Sequence, residues 1–76
     1  MTEVRTDLSG RQVRAALERV GFEFQRQEGE QMLLRRSAPL TRIVVPDHAI
    51  IRTGTLRRII GDTGLSVERF DELLQY

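Results

Sequence analysis

The sequence predicts an α+β fold in the order α-β-β-β-α, a three-stranded antiparallel sheet packed on two helices, with a short C-terminal helix. Three observations carry that expectation. Apolar residues repeat at helical spacing over residues 13–20, alternate with polar ones from residue 22, and return to helical spacing after Thr53. Gly29 and Pro39 punctuate the middle stretch into short segments, which implies an antiparallel meander rather than crossover connections. At 76 residues the chain holds one domain, with a core over about 9–66 and a helical tail over 66–76.

The first helix is the best signposted. Ser9 and Gln12 form a capping box, and Leu8 can staple onto Val13 across the cap. Val13, Ala16, Leu17 and Val20 make one buried stripe, and Gly21 supplies the left-handed residue that ends the helix. Arg11, Arg14, Glu18 and Arg19 lie off the stripe, as a solvated face or a binding face.

The strands follow. Phe22 and Phe24 alternate with Glu23, Gln25 and Gln27, which predicts a half-buried strand with both rings inward. Glu28-Gly29-Glu30 reads as a tight hairpin leading to a strand over Met32 to Arg36. Ser37 to Leu40 is a second turn, and Arg42 to Val45 a third strand that Pro46 closes. Thr53 reads as the N-cap of a helix carrying Leu56, Ile59 and Ile60 inward, ending near Gly61 to Gly64. Ser66 caps the tail, whose Val67, Phe70, Leu73 and Leu74 share one side. One sheet face covered by two helices buries this pattern, an arrangement that resembles the double-stranded-RNA-binding domain.

Composition narrows the chemistry. Cysteine is absent, which excludes disulfides and thiolate chemistry, and the lone His48 cannot build a multi-histidine metal site, so no cofactor or metal is expected. No apolar run exceeds three residues, so neither a membrane span nor a signal core is expected and the cytoplasm is the expected compartment. All twelve basic residues are arginine; the first 65 residues hold eleven of them against eight acids. Arginine forks onto phosphate and stacks on bases. A GC-rich genome gives the same composition.

Two segments exceed what the fold requires. One is Gly21-Phe22, Arg26-Gln27 and Gly29-Glu30-Gln31-Met32. The other is Val44-Val45-Pro46-Asp47-His48, then Gly54-Thr55-Leu56-Arg57-Arg58-Ile59-Ile60 and Gly64-Leu65-Ser66. In order and spacing they resemble the HicA toxin family, over about Ser9 to Ser66. That family has a helix ending G-F or G-W, a hairpin R-Q-x-G-S-H, a strand ending V-P-x-H, a G-T-L-R-x-I-L helix and an A-G-L-S segment. The resemblance implies a messenger-RNA-cleaving toxin of a type II toxin–antitoxin pair, neutralised by a HicB-type antitoxin. It also implies that the hairpin histidine is the catalytic group. Here Gly29-Glu30-Gln31 stands in place of G-S-H, so Gln31 occupies the catalytic position and little or no RNA cleavage is expected. Deliberate silencing of a toxin and natural decay both fit.

The remaining candidate contacts to RNA are Arg26, Arg35 and Arg36 on the hairpin, His48, and Arg52, Gly54, Thr55, Arg57 and Arg58 around the second helix. Free N–H groups and a positive dipole end at Thr53-Gly54-Thr55 suit an anion, although a glycine there also permits close packing. His48 can equally be structural, bonded to the hairpin. The expected partners are messenger RNA and the antitoxin, with no membrane; oligomers with itself or with the antitoxin are both compatible. A noncatalytic RNA-binding domain and a pure interaction module using its apolar tail are the competing readings.

Overall fold

The computed structural model describes residues 7–75. Helix α1 spans Gly10–Glu18, strands β1, β2 and β3 span Glu23–Glu28, Gln31–Ser37 and Leu40–Pro46, and helices α2 and α3 span Thr53–Thr63 and Val67–Leu73. The sheet is an antiparallel meander in the order β1-β2-β3. The expected α-β-β-β-α succession is therefore present, with α3 following it.

Local rules explain most element ends. The Ser9 hydroxyl accepts from the Gln12 N–H at 3.1 Å while the Gln12 side chain accepts from the Ser9 N–H at 2.9 Å, a complete capping box. After α1, Phe22 N–H donates to Leu17 and Gly21 N–H donates to Glu18, the bond pair that closes a helix through a left-handed glycine. The hairpin loop is Gly29-Glu30, with positive φ at Gly29 alone, the pattern of a type II′ turn. The β2–β3 connection is Ala38-Pro39, whose peptide bond is cis.

One expected cap is corrected. Arg52 caps α2, and Thr53 is the first helical residue. Arg52 has the extended backbone of a cap, but its side chain carries donors only, so no side chain closes the first turn of α2.

The core lies on one side of the sheet. Phe24, Met32, Leu34, Ile43 and Val45 face Val13, Ala16 and Leu17 of α1, Leu56, Ile59 and Ile60 of α2, and Phe70 and Leu73 of α3. Phe22 is buried just before β1, whereas Phe24 is half-buried and β1 is otherwise exposed. A bulge at Gln25 breaks the expected alternation of β1. The apolar tail folds back: Phe70 and Leu73 are buried, and Arg19 donates to the Leu73 carbonyl at 2.7 Å.

The charged side of α1 is exposed at Arg11, Glu18 and Arg19, and its arginines are engaged. Arg14 pairs with Glu18 at 3.4 Å and lies 3.9 Å over the Phe24 ring, and Arg11 bonds Asp47 beyond β3. Gly10 matters for another reason. A Cβ there would overlap the Pro46 carbonyl oxygen, and the Gly10 N–H donates to the His48 carbonyl at 2.9 Å. The start of α1 is thereby pressed directly onto the chain leaving β3.

Candidate functional site

Three segments meet where β3 ends: the start of α1, the β1–β2 hairpin and residues Pro46 to His48. The Asp47 N–H donates to the Glu30 carbonyl at 2.6 Å, carrying the strand pairing one step beyond the Pro46–Gln31 register pair. Gln27 donates to the Asp47 carboxylate at 3.0 Å and to the Gly29 carbonyl at 3.1 Å. His48 Nε2 lies 3.2 Å from Glu30 Oε2, with both side chains at least half exposed. Gln31, the first residue of β2, is exposed beside this cluster. His48 thus meets the hairpin through a carboxylate.

Asp47 is the hub. The Arg11 hydrogen bond, then that from Gln27, hold its carboxyl below the usual carboxylate range, with the charges of Arg11 and His48 adding to them and desolvation opposing. A carboxyl depressed by folding stabilises the native state above its unfolded pKa of about 3.9, and that stabilisation is lost as pH falls through the lower folded value. Asp47→Asn should therefore lower the melting temperature at neutral pH, and the gap from the parent should close as pH drops below about 3.9, read by thermal melts across pH. A gap that persists unchanged in acid contradicts this account.

The predicted contact residues divide into groups. Gln31 and Arg35 alternate with Leu33 on the outer face of the sheet, away from the helices, and Arg26 stands opposite Leu33 on that face, paired with Glu28 at 3.1 Å. Arg52, Gly54 and Thr55 form the first turn of α2, and Arg57 and Arg58 are exposed further along it. An added Cβ at Gly54 would meet nothing within 4 Å, so close packing is not the reason for a glycine there.

Arg36 does not join them. It faces the core side, its guanidinium 4.6 Å from the Phe22 ring centre and donating to the Thr63 carbonyl at 3.3 Å, so it ties β2 to the end of α2. Neighbouring residues in a strand point to opposite faces, so Arg35 and Arg36 could not share a surface. Arg36→Ala should cost about 1–2 kcal/mol of stability through the lost ring and carbonyl contacts and leave RNA affinity unchanged, measured by melting and by fluorescence anisotropy. A lost affinity at unchanged stability would reverse that assignment.

Sequence reasoning missed Gln27 and Asp47, whose roles depend on the distant contacts just described, and Arg42, which stands directly opposite Arg35 on the outer face. Strand parity alone puts Arg42 on the face away from Ile43 and Val45; its partner follows only from the length of the β2–β3 turn.

A family model described as HicA toxin of bacterial toxin–antitoxin matches residues 10–65. The chain belongs to the HicA toxin family. The matched span runs from the first residue of α1 to the residue before Ser66 and leaves out α3. Comparison with curated proteins gave no match. As a HicA family member the chain is the toxin of a toxin–antitoxin system, and its system supplies an antitoxin partner. Among the described residues of this HicA domain no helix is long and apolar enough to cross a membrane, and no cluster of three or more metal-ligating side chains occurs.

Proposed function

We propose that this HicA family toxin is a cytoplasmic, RNA-directed protein built on an mRNA endoribonuclease whose catalytic position is held by Gln31, so that it engages messenger RNA without cleaving it. A HicB-type antitoxin is its partner. The observation that supports this reading is the setting of Gln31, exposed at the start of β2 in register with Pro46 and beside the Glu30–His48 contact.

Cleavage by attack of a ribose 2′-hydroxyl needs one group to take a proton and another to return it to the leaving oxygen. The Gln31 amide donates and accepts hydrogen bonds but does not titrate, so it can orient a phosphate and cannot move its protons. His48 is the single imidazole in the chain, and its Nε2 is engaged by Glu30. Arg26, Arg35, Arg52, Arg57 and Arg58, with the uncapped N–H groups at Gly54 and Thr55, supply charge and donors for an RNA backbone.

The test compares RNA cleavage and growth arrest on inducible expression for the chain as written and for Gln31→His. Cleavage and arrest by the variant alone support the reading. Two inert but folded proteins end the ribonuclease reading, and cleavage by the chain as written ends the silencing at Gln31.

A further inference from the structure

Among the described residues nothing covers the outer face of the sheet, and its side chains are not a random sample of surface residues. Going along β2 and β3, the facing pairs that point outward include Gln31 with Pro46, Leu33 with Val44, and Arg35 with Arg42. We infer that these three pairs form a track for single-stranded RNA, with Arg35 and Arg42 sharing a phosphate and Leu33 and Val44 seating a base. The inference rests on the RNA-directed reading above and deepens it by naming the strand state of the ligand and the surface that holds it.

The arginine pair is the first support. Like charges directly opposite each other on one face destabilise a sheet. Arg35 and Arg42 do so with no ion pair to either among the described residues. Glu23 faces Arg35 from β1 without pairing to it, and Glu28 is taken up by Arg26. The nearby acids thus lie on the β1 side, and none of them forms an ion pair with either arginine of the β2–β3 pair. Two guanidinium forks side by side fit the non-bridging oxygens of one phosphate.

The floor is the second support. Leu33 is half-buried and Val44 is 38% exposed; Leu40, 56% exposed, lies on the same face of β3 beyond Arg42. Together with Gln25, Arg26, Arg35 and Arg42, Leu33 and Val44 line an open concavity of about 480 Å³. An apolar floor rimmed by arginines suits a base whose face is free and a backbone that passes beside it. A duplex offers no such base: its bases are stacked inside, and an A-form helix presents phosphates and 2′-hydroxyls.

The dimensions agree. Gln31 and Arg35 are four residues apart on one strand, about 13 Å, which spans roughly two nucleotides of extended backbone. A phosphate held at Arg35 and Arg42 therefore sets the register of the strand at Gln31. Among the described residues the face carries no aromatic ring, so charge dominates the binding and salt weakens it.

The test measures binding of a fluorescein-labelled ten-nucleotide single-stranded RNA, and of a sixteen-base-pair RNA duplex, by fluorescence anisotropy over a salt series. The proteins are the full chain, Arg35→Gln with Arg42→Gln, the same two positions as Lys, Arg57→Gln with Arg58→Gln, and Arg69→Gln as a control on α3. Removing the outer-face pair should weaken single-strand binding at least tenfold and shallow the log–log salt slope by about 0.7 per phosphate lost. The lysine version should fall between, since it keeps the charge without the fork, and Arg69→Gln should bind as the parent does. The folded state should melt no lower in the outer-face glutamine variant, since a like-charge pair is removed. If the single strand binds and only the α2 pair matters, or if the duplex binds more tightly, the track is wrong and the RNA-directed reading stands. If the parent binds neither RNA at low salt, both fall. If sedimentation shows a parent dimer that the outer-face substitutions dissolve without loss of RNA, the face is a contact between copies and the inference is overturned.

Discussion

Gln31→His is expected to raise RNA cleavage about 10²- to 10⁴-fold over the chain as written, the usual contribution of one positioned general acid–base group. The backbone at position 31 already lies in regular pairing with Glu28 on one side and Pro46 on the other, so the new imidazole needs no rearrangement to sit at the hairpin end. Its neighbourhood predicts the pH dependence. An imidazole has an ordinary pKa near 6.5, and a nearby carboxylate favours its charged form. Glu30 precedes position 31 and carries an exposed carboxylate. A reaction using the neutral imidazole as base should therefore rise with pH through a midpoint above about 6.5. Adding Glu30→Gln to the variant should move that midpoint down, and should also favour a phosphate there by removing a negative charge. Single-turnover cleavage of a labelled RNA across pH reads both effects. A rate in the variant that does not change with pH would mean that histidine at position 31 is not the proton carrier.

Gly10→Ala should give the largest loss of stability. The new methyl would overlap the Pro46 carbonyl oxygen, with the Pro46 carbonyl carbon at 2.9 Å and the Asp47 Cα at 3.1 Å. All three atoms are backbone, so no rotamer change relieves the overlap, and α1 and the end of β3 must separate. Separation breaks the hydrogen bond from Gly10 to His48 and strains that from Ile51 N–H to the Leu8 carbonyl, 2.7 Å long. Overpacking costs about 1–3 kcal/mol and occasionally more, and a lost hydrogen bond adds about 1. A loss of about 3 kcal/mol or more lowers the melting temperature of a domain this size by roughly 12–24 °C. Thermal unfolding followed by circular dichroism measures it; a shift of only a few degrees would show that the first turn of α1 can move away from β3 freely. The same substitution should disturb the Asp47–His48 segment, so loss of fold and loss of the hairpin-end cluster should appear together.

Much of the fold was legible because its signals are short-range. The Ser9–Gln12 box, the stripe at Val13, Ala16 and Leu17, the left-handed Gly21 and the Ser66 cap each involve residues within a few positions of one another. The candidate site was legible less evenly. Gln31 stood out because a motif surrounds it, and Arg35 because it lies on a strand after that motif. Arg36 was grouped with Arg35 as a candidate RNA contact, whereas the two-residue period already sends its side chain to the other face. Thr53 was misread as a cap because its hydroxyl suits the role, whereas the turn into α2 begins one residue earlier at Arg52.

The sequence by itself determined which stretches become helix or strand, where the turns fall and which faces of β2 and β3 meet the core, because those depend on spacing and backbone preference within one element. Only the tertiary structure decided that Arg42 stands against Arg35, that Asp47 gathers Arg11 and Gln27, that His48 meets Glu30 and that Gly10 must remain bare. Each of these is a meeting of residues from different elements, set by strand register, by the bulge at Gln25 and by how closely α1 lies against the end of β3. Register and approach are properties of the assembled sheet and helices, and no spacing within a single segment encodes them.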